Sequence, residues 1–338
     1  MTLPFLNLRP SYKAMRMGIV VHSYASRWNS RIPSEKYPGF RDAIDLIEHC
    51  HSIGAGGVQV MVRDWTTDFV KNVRDKREKL GLFLEGSVSI PKDAGDVDRF
   101  EQDILAAREA GAAIARTVCL NGRRYETFQS LSAFNEFAQK SIDSLQLAEP
   151  VVRKHRVKLA IENHKDWRAA ELAEVLNKLG SEWIGVNLDF GNNLALIEDP
   201  MEVVNTLAPY TMTTHVKDMG VKEYEDGFLL SEVPLGEGVL DLKKMFATCR
   251  NYRADVKFNL EMITRDPLKI PCLNEDFWHT LTSVESRQLA STLRLVRRHP
   301  FKTDLPVVSP LTAEERLARE EQNIITSLQY SKSQLGMD

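Results

Sequence analysis

The chain has 338 residues, 43% of them hydrophobic, with 44 basic and 47 acidic side chains giving a net charge of −3. Such a length supports a large core, in two average domains or in one α/β barrel, while the lack of any long Lys/Arg run argues against nucleic acid or an anionic membrane as main partner. No apolar stretch approaches the ~20 residues of a membrane span, the N-terminal MTLPFLNLRPSYKAMR lacks the apolar segment of a secretory leader, and Cys50, Cys119, Cys249 and Cys272 form no CxxC pair and read as reduced, mostly buried thiols of a cytoplasmic protein.

Short apolar runs alternate with longer helical ones. MGIVVH (17–22) is the first expected strand. FRDAIDLIEHCHSI follows as a helix, with Ile44, Ile47 and His51 on one face and a stop in the glycine cluster Gly54 to Gly57. GVQVM (57–61) and LFLEGS (82–87) are the next strands, and DVDRFEQDILAAREAG is a helix that starts at an acidic cap and stops at Gly111. IARTVC (114–119) precedes the longest helix, about 128 to 154. VKLAIE (157–162) leads to the helix WRAAELAEVLNKLG, ending at Gly180, and then to the strands IGVNLD (184–189) and TMTTHV (211–216). VLDLKKMFATCR is a helix before the eighth strand, VKFNLE (256–261), and residues 280–297 form an amphipathic helix after it.

Near-continuous apolar strands between amphipathic helices indicate a parallel sheet covered on its outside. No GxGxxG follows the first strand, which weakens the open dinucleotide-binding sheet. The expected architecture is a (β/α)₈ TIM barrel over residues 1–298, with a C-terminal helical extension over 299–338. In that extension HPFKTDLPVVSP (299–310) reads as a linker, and the last segment as a helix with Thr312 and Glu315 as a capping box. Its apolar stripe, Leu317, Ile324, Ile325 and Leu328, must pack on this barrel or on a neighbouring subunit.

The polar residues at strand ends favour the barrel. The fifth, sixth and eighth strands end in Glu162, Asp189 and Glu261, and the seventh carries His215. In a barrel all strand ends converge on one mouth, where active sites sit. Three carboxylates closing apolar strands would cost several kcal/mol to bury together without a cation, or would be forced to protonate. A shared divalent ion resolves that cost. Three carboxylates and one imidazole suit Mn²⁺ best, with Mg²⁺, Co²⁺ or Zn²⁺ as alternatives.

The segments AIENHKDW (160–167), VNLDFGNN (186–193), THVKDMG (214–220), PLGEGVLDL (234–242) and NLEM (259–262) resemble the xylose isomerase-like TIM barrel superfamily. Within it they are most similar to the sugar phosphate isomerase/epimerase group that includes the ketose 3-epimerases, over roughly residues 15 to 298. The resemblance implies that Glu162, Asp189, His215 and Glu261 hold one metal that chelates two sugar oxygens. It also implies that Glu162 and Glu261 are the catalytic acid/base pair moving a proton beside a carbonyl. It implies a small-molecule carbohydrate substrate and a homo-oligomer.

Further candidates for substrate contact are His164, Asn192, Lys217, Glu237, Arg265 and His22. Asn192 stands where ketose 3-epimerases carry a histidine, so their substrate contacts do not carry over directly. Lys217 is two residues from His215 and should face the same side of an extended strand. It can neutralise charge on the substrate or pair with Asp218. Glu237 lies in the GEG turn at 236–238, and Arg265 opens a long segment after the eighth strand that is expected to cover the pocket. His22 and Glu85, on the other half of the barrel, can line the pocket or sit satisfied in the core. Tyr24, Trp28, Trp65 and Trp167 suit either stacking on a sugar or ordinary packing.

A keto-sugar (3-keto-glycoside) lyase or glycoside-cleaving enzyme uses the same metal and bases and is the alternative activity. An abasic-site endonuclease wants more histidines and a basic face than this chain offers. A non-catalytic sugar-binding barrel would not need all four ligands. No phosphate-binding loop is evident, which favours a free sugar or glycoside over a phosphate ester.

Overall fold

A computed structural model describes residues 15–28, 30 and 32–338. The leader-free N-terminus expected from the sequence falls on residues 1–14 and lies outside the described residues.

Eight parallel strands close into a barrel: β1 (Gly18–Val20), β2 (Gly57–Met61), β3 (Phe83–Ser87), β4 (Ile114–Thr117), β5 (Lys158–Glu162), β6 (Ile184–Asp189), β7 (Thr211–Val216) and β10 (Lys257–Leu260), which pairs back onto β1. All eight expected strands are present within one to two residues at each end. Apart from a few terminal residues such as exposed Met61, each is buried on both faces, one by helices and one by the barrel interior, and that explains its apolar composition.

The helices start where short polar side chains take up free backbone N–H groups. Asp42 caps α1 (Ala43–Ser52), Ser130 caps α5 (Leu131–His155), Asp241 caps α8 (Leu242–Tyr252) and Thr312 with Glu315 closes the expected capping box of α10 (Ala313–Gln334). Gly111 and Gly180, at φ 96° and 58°, terminate α3 (Val97–Glu109) and α6 (Ala169–Leu179), a left-handed conformation that glycine adopts without steric cost. α9 is Ser286–Arg298, shorter at its start than the expected 280–297. On α1 the buried face is Ala43, Leu46, Ile47 and Cys50; His51, expected on that face, is exposed. Two further helices were not picked out of the sequence: α2 (Thr67–Lys79), capped by Thr66, and α7 (Pro200–Leu207), capped by Asp199. All four cysteines are free, three of them buried.

The largest departure is a second sheet. β8 (Asp218–Tyr224) and β9 (Gly227–Val233) form an antiparallel hairpin directly after β7, and β11 (Leu268–Ile270) adds to β9. The long segment after β10 is therefore partly ordered as a strand. α9 packs on this hairpin, with Arg297 Nε 2.6 Å from Glu223 Oε1.

α10 packs on its own barrel. It lies between α1 and α8: Glu321 reaches His49 of α1, and Gln334 reaches Lys243 of α8. Its Leu317, Ile324 and Leu328 are buried, and Glu320 accepts backbone N–H bonds from Ser26 and Arg27 at 2.7 and 3.2 Å. Among the described residues no helix is long and apolar enough to cross a membrane.

Candidate metal centre at the barrel mouth

Barrel strands alternate between facing the helices and facing the interior. Glu162, Asp189 and His215 are inward positions at or next to the carboxyl ends of β5, β6 and β7, and Glu261 directly follows β10. The register aligns them, with Asp189 opposite His215 and His215 opposite Asn259, two residues before Glu261. One potential ligand atom from each of the four lies within 4.8 Å of the others. His215 Nδ1 stands 3.3 Å from Glu162 Oε2, 3.3 Å from Glu261 Oε1 and 4.0 Å from Asp189 Oδ2. None of the four residues is more than 3% exposed.

The donor set fits a divalent ion. His215 Nε2 lies 2.7 Å from Gln59 Oε1, an acceptor, so Nε2 carries a proton and Nδ1 faces the carboxylates with no hydrogen-bond partner. Burial pushes the imidazole down, but Glu261 and Glu162 lift it to about 9. Without another cation the ring would itself take a proton to balance the acids. A divalent ion held by Nδ1 and the three carboxylates would take the place of that proton.

The acids differ in their surroundings. Burial raises Glu162, but Arg116 and His215 outweigh it and hold the carboxyl well below its ordinary range. Arg116 Nε donates to Glu162 Oε2 at 2.7 Å, and its Nη2 donates to the same oxygen. Burial likewise raises Glu261, but His215 and Lys217 keep it ionised. Lys217 Nζ is 2.6 Å from Glu261 Oε2 and 2.8 Å from Asp189 Oδ2. For Asp189 burial prevails and the carboxyl is raised, although Lys217 opposes it.

Beneath the cluster is a polar layer where a barrel interior is usually filled by branched aliphatic residues. Gln59 Nε2 donates to Glu85 Oε2 at 3.0 Å, and Thr213 and Asn259 donate to the same carboxylate at 2.9 and 3.0 Å. Glu85 thus does not line the pocket; it orients Gln59, which orients His215. Asn163 locks the next strand by donating to the Asp189 carbonyl and accepting from its N–H, at 2.9 and 2.8 Å.

The remaining candidates divide. Asn192 is at the cluster: its Nδ2 donates to Glu162 Oε1 at 3.0 Å and its Oδ1 accepts from Lys165. His22 is also there, and is not a core histidine. Its Nδ1 is 3.2 Å from Glu261 Oε1 and its side chain is 37% exposed, making it the solvent-facing edge of the group. His164 is beside the cluster with Nδ1 on the Leu120 carbonyl, and burial lowers it to about 3, so it is neutral. Arg265 pairs with buried Glu232 of β9, tying the segment after β10 to the hairpin. Asp266 turns away to accept from Val308 and Ser309. Glu237 is not brought to the cluster: it is exposed beside the 298–302 segment, while Asp218 accepts from the N–H groups of Gly236 and Gly238. Asp218 therefore holds the turn and makes no ion pair with Lys217. Tyr24 packs on Phe40 and His49, Trp65 on Phe69, and Trp167 on Phe134 and Phe137, so these three are packing aromatics; Trp28 is partly buried against the core.

Sequence reasoning passed over Gln59, Arg116 and Lys165. Gln59 and Arg116 did carry a signal, as polar residues inside the apolar strands GVQVM and IART, where burial demands a partner.

A family model described as xylose isomerase-like TIM barrel matches residues 47–278. The 3-oxo-isoapionate decarboxylase of Pectobacterium atrosepticum is 23% identical over 282 residues, covering 80% of this chain and 96% of that protein. Among solved structures, D-psicose 3-epimerase in the presence of D-fructose has a TM-score of 0.63 at 13% identity, covering 95% of this chain and 100% of that one. A xylose isomerase-like TIM barrel protein from Mycobacterium smegmatis in complex with magnesium has a TM-score of 0.56 at 14% identity, covering 82% and 98%. With this match over most of its length, the chain belongs to the xylose isomerase-like TIM barrel family.

Proposed function

We propose that the protein is a divalent-metal-dependent isomerase or epimerase that moves a proton on the carbon beside a sugar carbonyl. The observation that carries this reading is the convergence of Glu162, Asp189, His215 and Glu261 within 4.8 Å at a buried barrel mouth. The oxygen-rich donor set favours Mn²⁺, with Mg²⁺, Co²⁺ and Zn²⁺ as alternatives. Bound there, the ion supplies the positive charge that makes a C–H beside a carbonyl removable at neutral pH. Glu162 and Glu261 come from the two ends of the four-strand arc, which supports their acting on a substrate from different sides. Arg116 and Lys217 keep them ionised, as proton acceptors must be. Lys217 beside Glu261 and Asn192 beside Glu162 would meet oxyanion charge on a metal-bound substrate, and His22 reaches Glu261 from the solvent side.

The second reading, a lyase acting on a keto-sugar, starts from the same proton abstraction or charge build-up but breaks a bond to the neighbouring carbon. It is favoured by the decarboxylase relative, which aligns over 96% of its own length.

Metal analysis of purified protein, followed by incubation with ketoses and 3-keto-glycosides in D₂O with and without Mn²⁺, tests both readings. Metal-dependent deuterium at the carbon beside the carbonyl of an intact isomer or epimer supports the isomerase. Loss of CO₂ or of a sugar leaving group supports the lyase. Stoichiometric metal with neither outcome sinks both, and metal-dependent cleavage of abasic duplex DNA would replace them.

A further inference from the structure

We infer that the substrate carries a carboxylate, held by Lys165 and Lys217 beside the metal cluster; this deepens the proposed function and rests on it. Lys165 is only 3% exposed. Its ammonium donates to Asn192 Oδ1, a neutral amide oxygen. Among the described residues, the other cations of the mouth each have a carboxylate: Glu162 for Arg116, Asp189 and Glu261 for Lys217, Glu232 for Arg265. Lys165 has none within ion-pair distance. Burying a charge without a paired counter-charge is expensive: burial, with Lys217 and Arg265 nearby, pushes the Lys165 ammonium down to about 8, and an anion not supplied by the chain would hold it in its charged form.

The backbone places this lysine deliberately. Lys165 sits at φ 137°, a conformation that side chains other than glycine rarely adopt. Asp166 holds the turn by accepting from the N–H groups of His164, Trp167 and Leu120, and the Lys165 carbonyl accepts from Arg124 N at 2.9 Å. Lys217 lies 3.4 Å from the same Asn192 Oδ1, so two like charges converge on one uncharged oxygen. When a divalent ion shares Asp189 and Glu261, the counter-charge of Lys217 is diminished as well.

A carboxylate fits these donors better than a phosphate. Its two oxygens can take one ammonium each. A phosphate wants a cradle of backbone N–H groups. The candidates here, Gly191 N and Asn192 N, already donate to Asp189 Oδ1 at 2.9 and 2.8 Å, and Asn192 Nδ2 is engaged by Glu162.

The test is calorimetric binding to Mn²⁺-loaded protein of D-gluconate, of D-glucitol as its uncharged counterpart, and of inorganic phosphate. Gluconate should bind at least ~10-fold more tightly than glucitol, the scale of one charge-assisted hydrogen bond. Lys165→Met should cut that preference several-fold, leaving only the share of Lys217, with glucitol affinity and bound Mn²⁺ unchanged, and Lys165→Arg should keep more of it. Equal affinity of wild type for gluconate and glucitol overturns the inference without any variant, which covers the case in which Lys165→Met does not fold. Retention of the full preference in Lys165→Met overturns the assignment to Lys165. Tighter binding of phosphate than of gluconate overturns the carboxylate. A protein that takes up no Mn²⁺ fails the underlying metal reading, whereas one that takes up Mn²⁺ but ignores the charge fails only this inference.

Discussion

Along the arc β5, β6, β7 and β10, each strand delivers one side chain, Glu162, Asp189, His215 or Glu261, to a shared centre. The arc β2, β3 and β4 delivers Gln59, Glu85, Ser87 and Arg116, and none of these belongs to that centre. Each instead contacts a member of the cluster or its supporter: Gln59 holds His215, Glu85 holds Gln59, Arg116 holds Glu162 and Ser87 accepts from Arg116. On the proposed reading the barrel thus has a side that would supply ligands and a side that orients them. Closure makes this possible, because a strand's inward residue can touch side chains from strands it never pairs with. Thr213 of β7 reaching Glu85 of β3 is an example. On that reading the ligand arc would set what binds, and the opposite arc how stiffly and in which protonation state the ligands are presented.

Substitutions can separate the two roles. On the ligand arc, Glu162→Gln or Glu261→Gln should lower kcat for metal-dependent hydrogen exchange by ~10²- to 10⁴-fold, the usual contribution of a positioned base. Exchange near the wild-type rate in both variants would remove them as the acid/base pair. On the orienting arc, Gln59→Leu should leave the barrel folded but weaken metal binding by ~10- to 100-fold, read by competition with a chelator. An unchanged metal affinity would reduce that arc to packing and dissolve the distinction. Arg265→Ala acts from neither arc: loss of its pair with Glu232 should raise KM or lower kcat by ~3- to 10-fold, and unchanged kinetics would free the segment after β10 from any part in the site.

The smallest effect belongs to the outer wall. Burial lifts Glu320 to about 7, above its unfolded range. The folded state therefore holds a proton that the unfolded chain releases, so this stabilisation is complete below the unfolded pKa and is lost as pH rises through about 7. Wild type should lose a few degrees of Tm between pH 5 and 8 relative to Glu320→Gln, roughly the effect of 1–2 kcal/mol in a chain of this size. Parallel pH profiles would mean that Glu320 titrates normally.

Much of the ligand arc was legible because a carboxylate closing an apolar strand breaks a simple pattern. The strand ends at Glu162 and Asp189 coincide with the structure to the residue. The hairpin of β8 and β9 was also written in the chain, as two alternating runs around Glu225, Asp226 and Gly227, and was overlooked. β11 was less accessible, since its pairing with β9 joins residues some forty positions apart. His51 lies about 100° around α1 from Cys50, and packing against the barrel centred the buried face on Ala43, Leu46, Ile47 and Cys50 instead.

The sequence by itself determined the order of the eight barrel strands, several helix ends, and the identity of the four ligand-type side chains, because these depend on local hydrophobic period, capping chemistry and position along a strand. Only the tertiary structure decided that Gln59 and Glu85 stand behind His215, that Lys165 is buried without a carboxylate, that Glu237 is left outside, and that α10 covers its own barrel. Those outcomes depend on which distant segments closure brings within a few ångströms, and no local pattern in the chain encodes such distances.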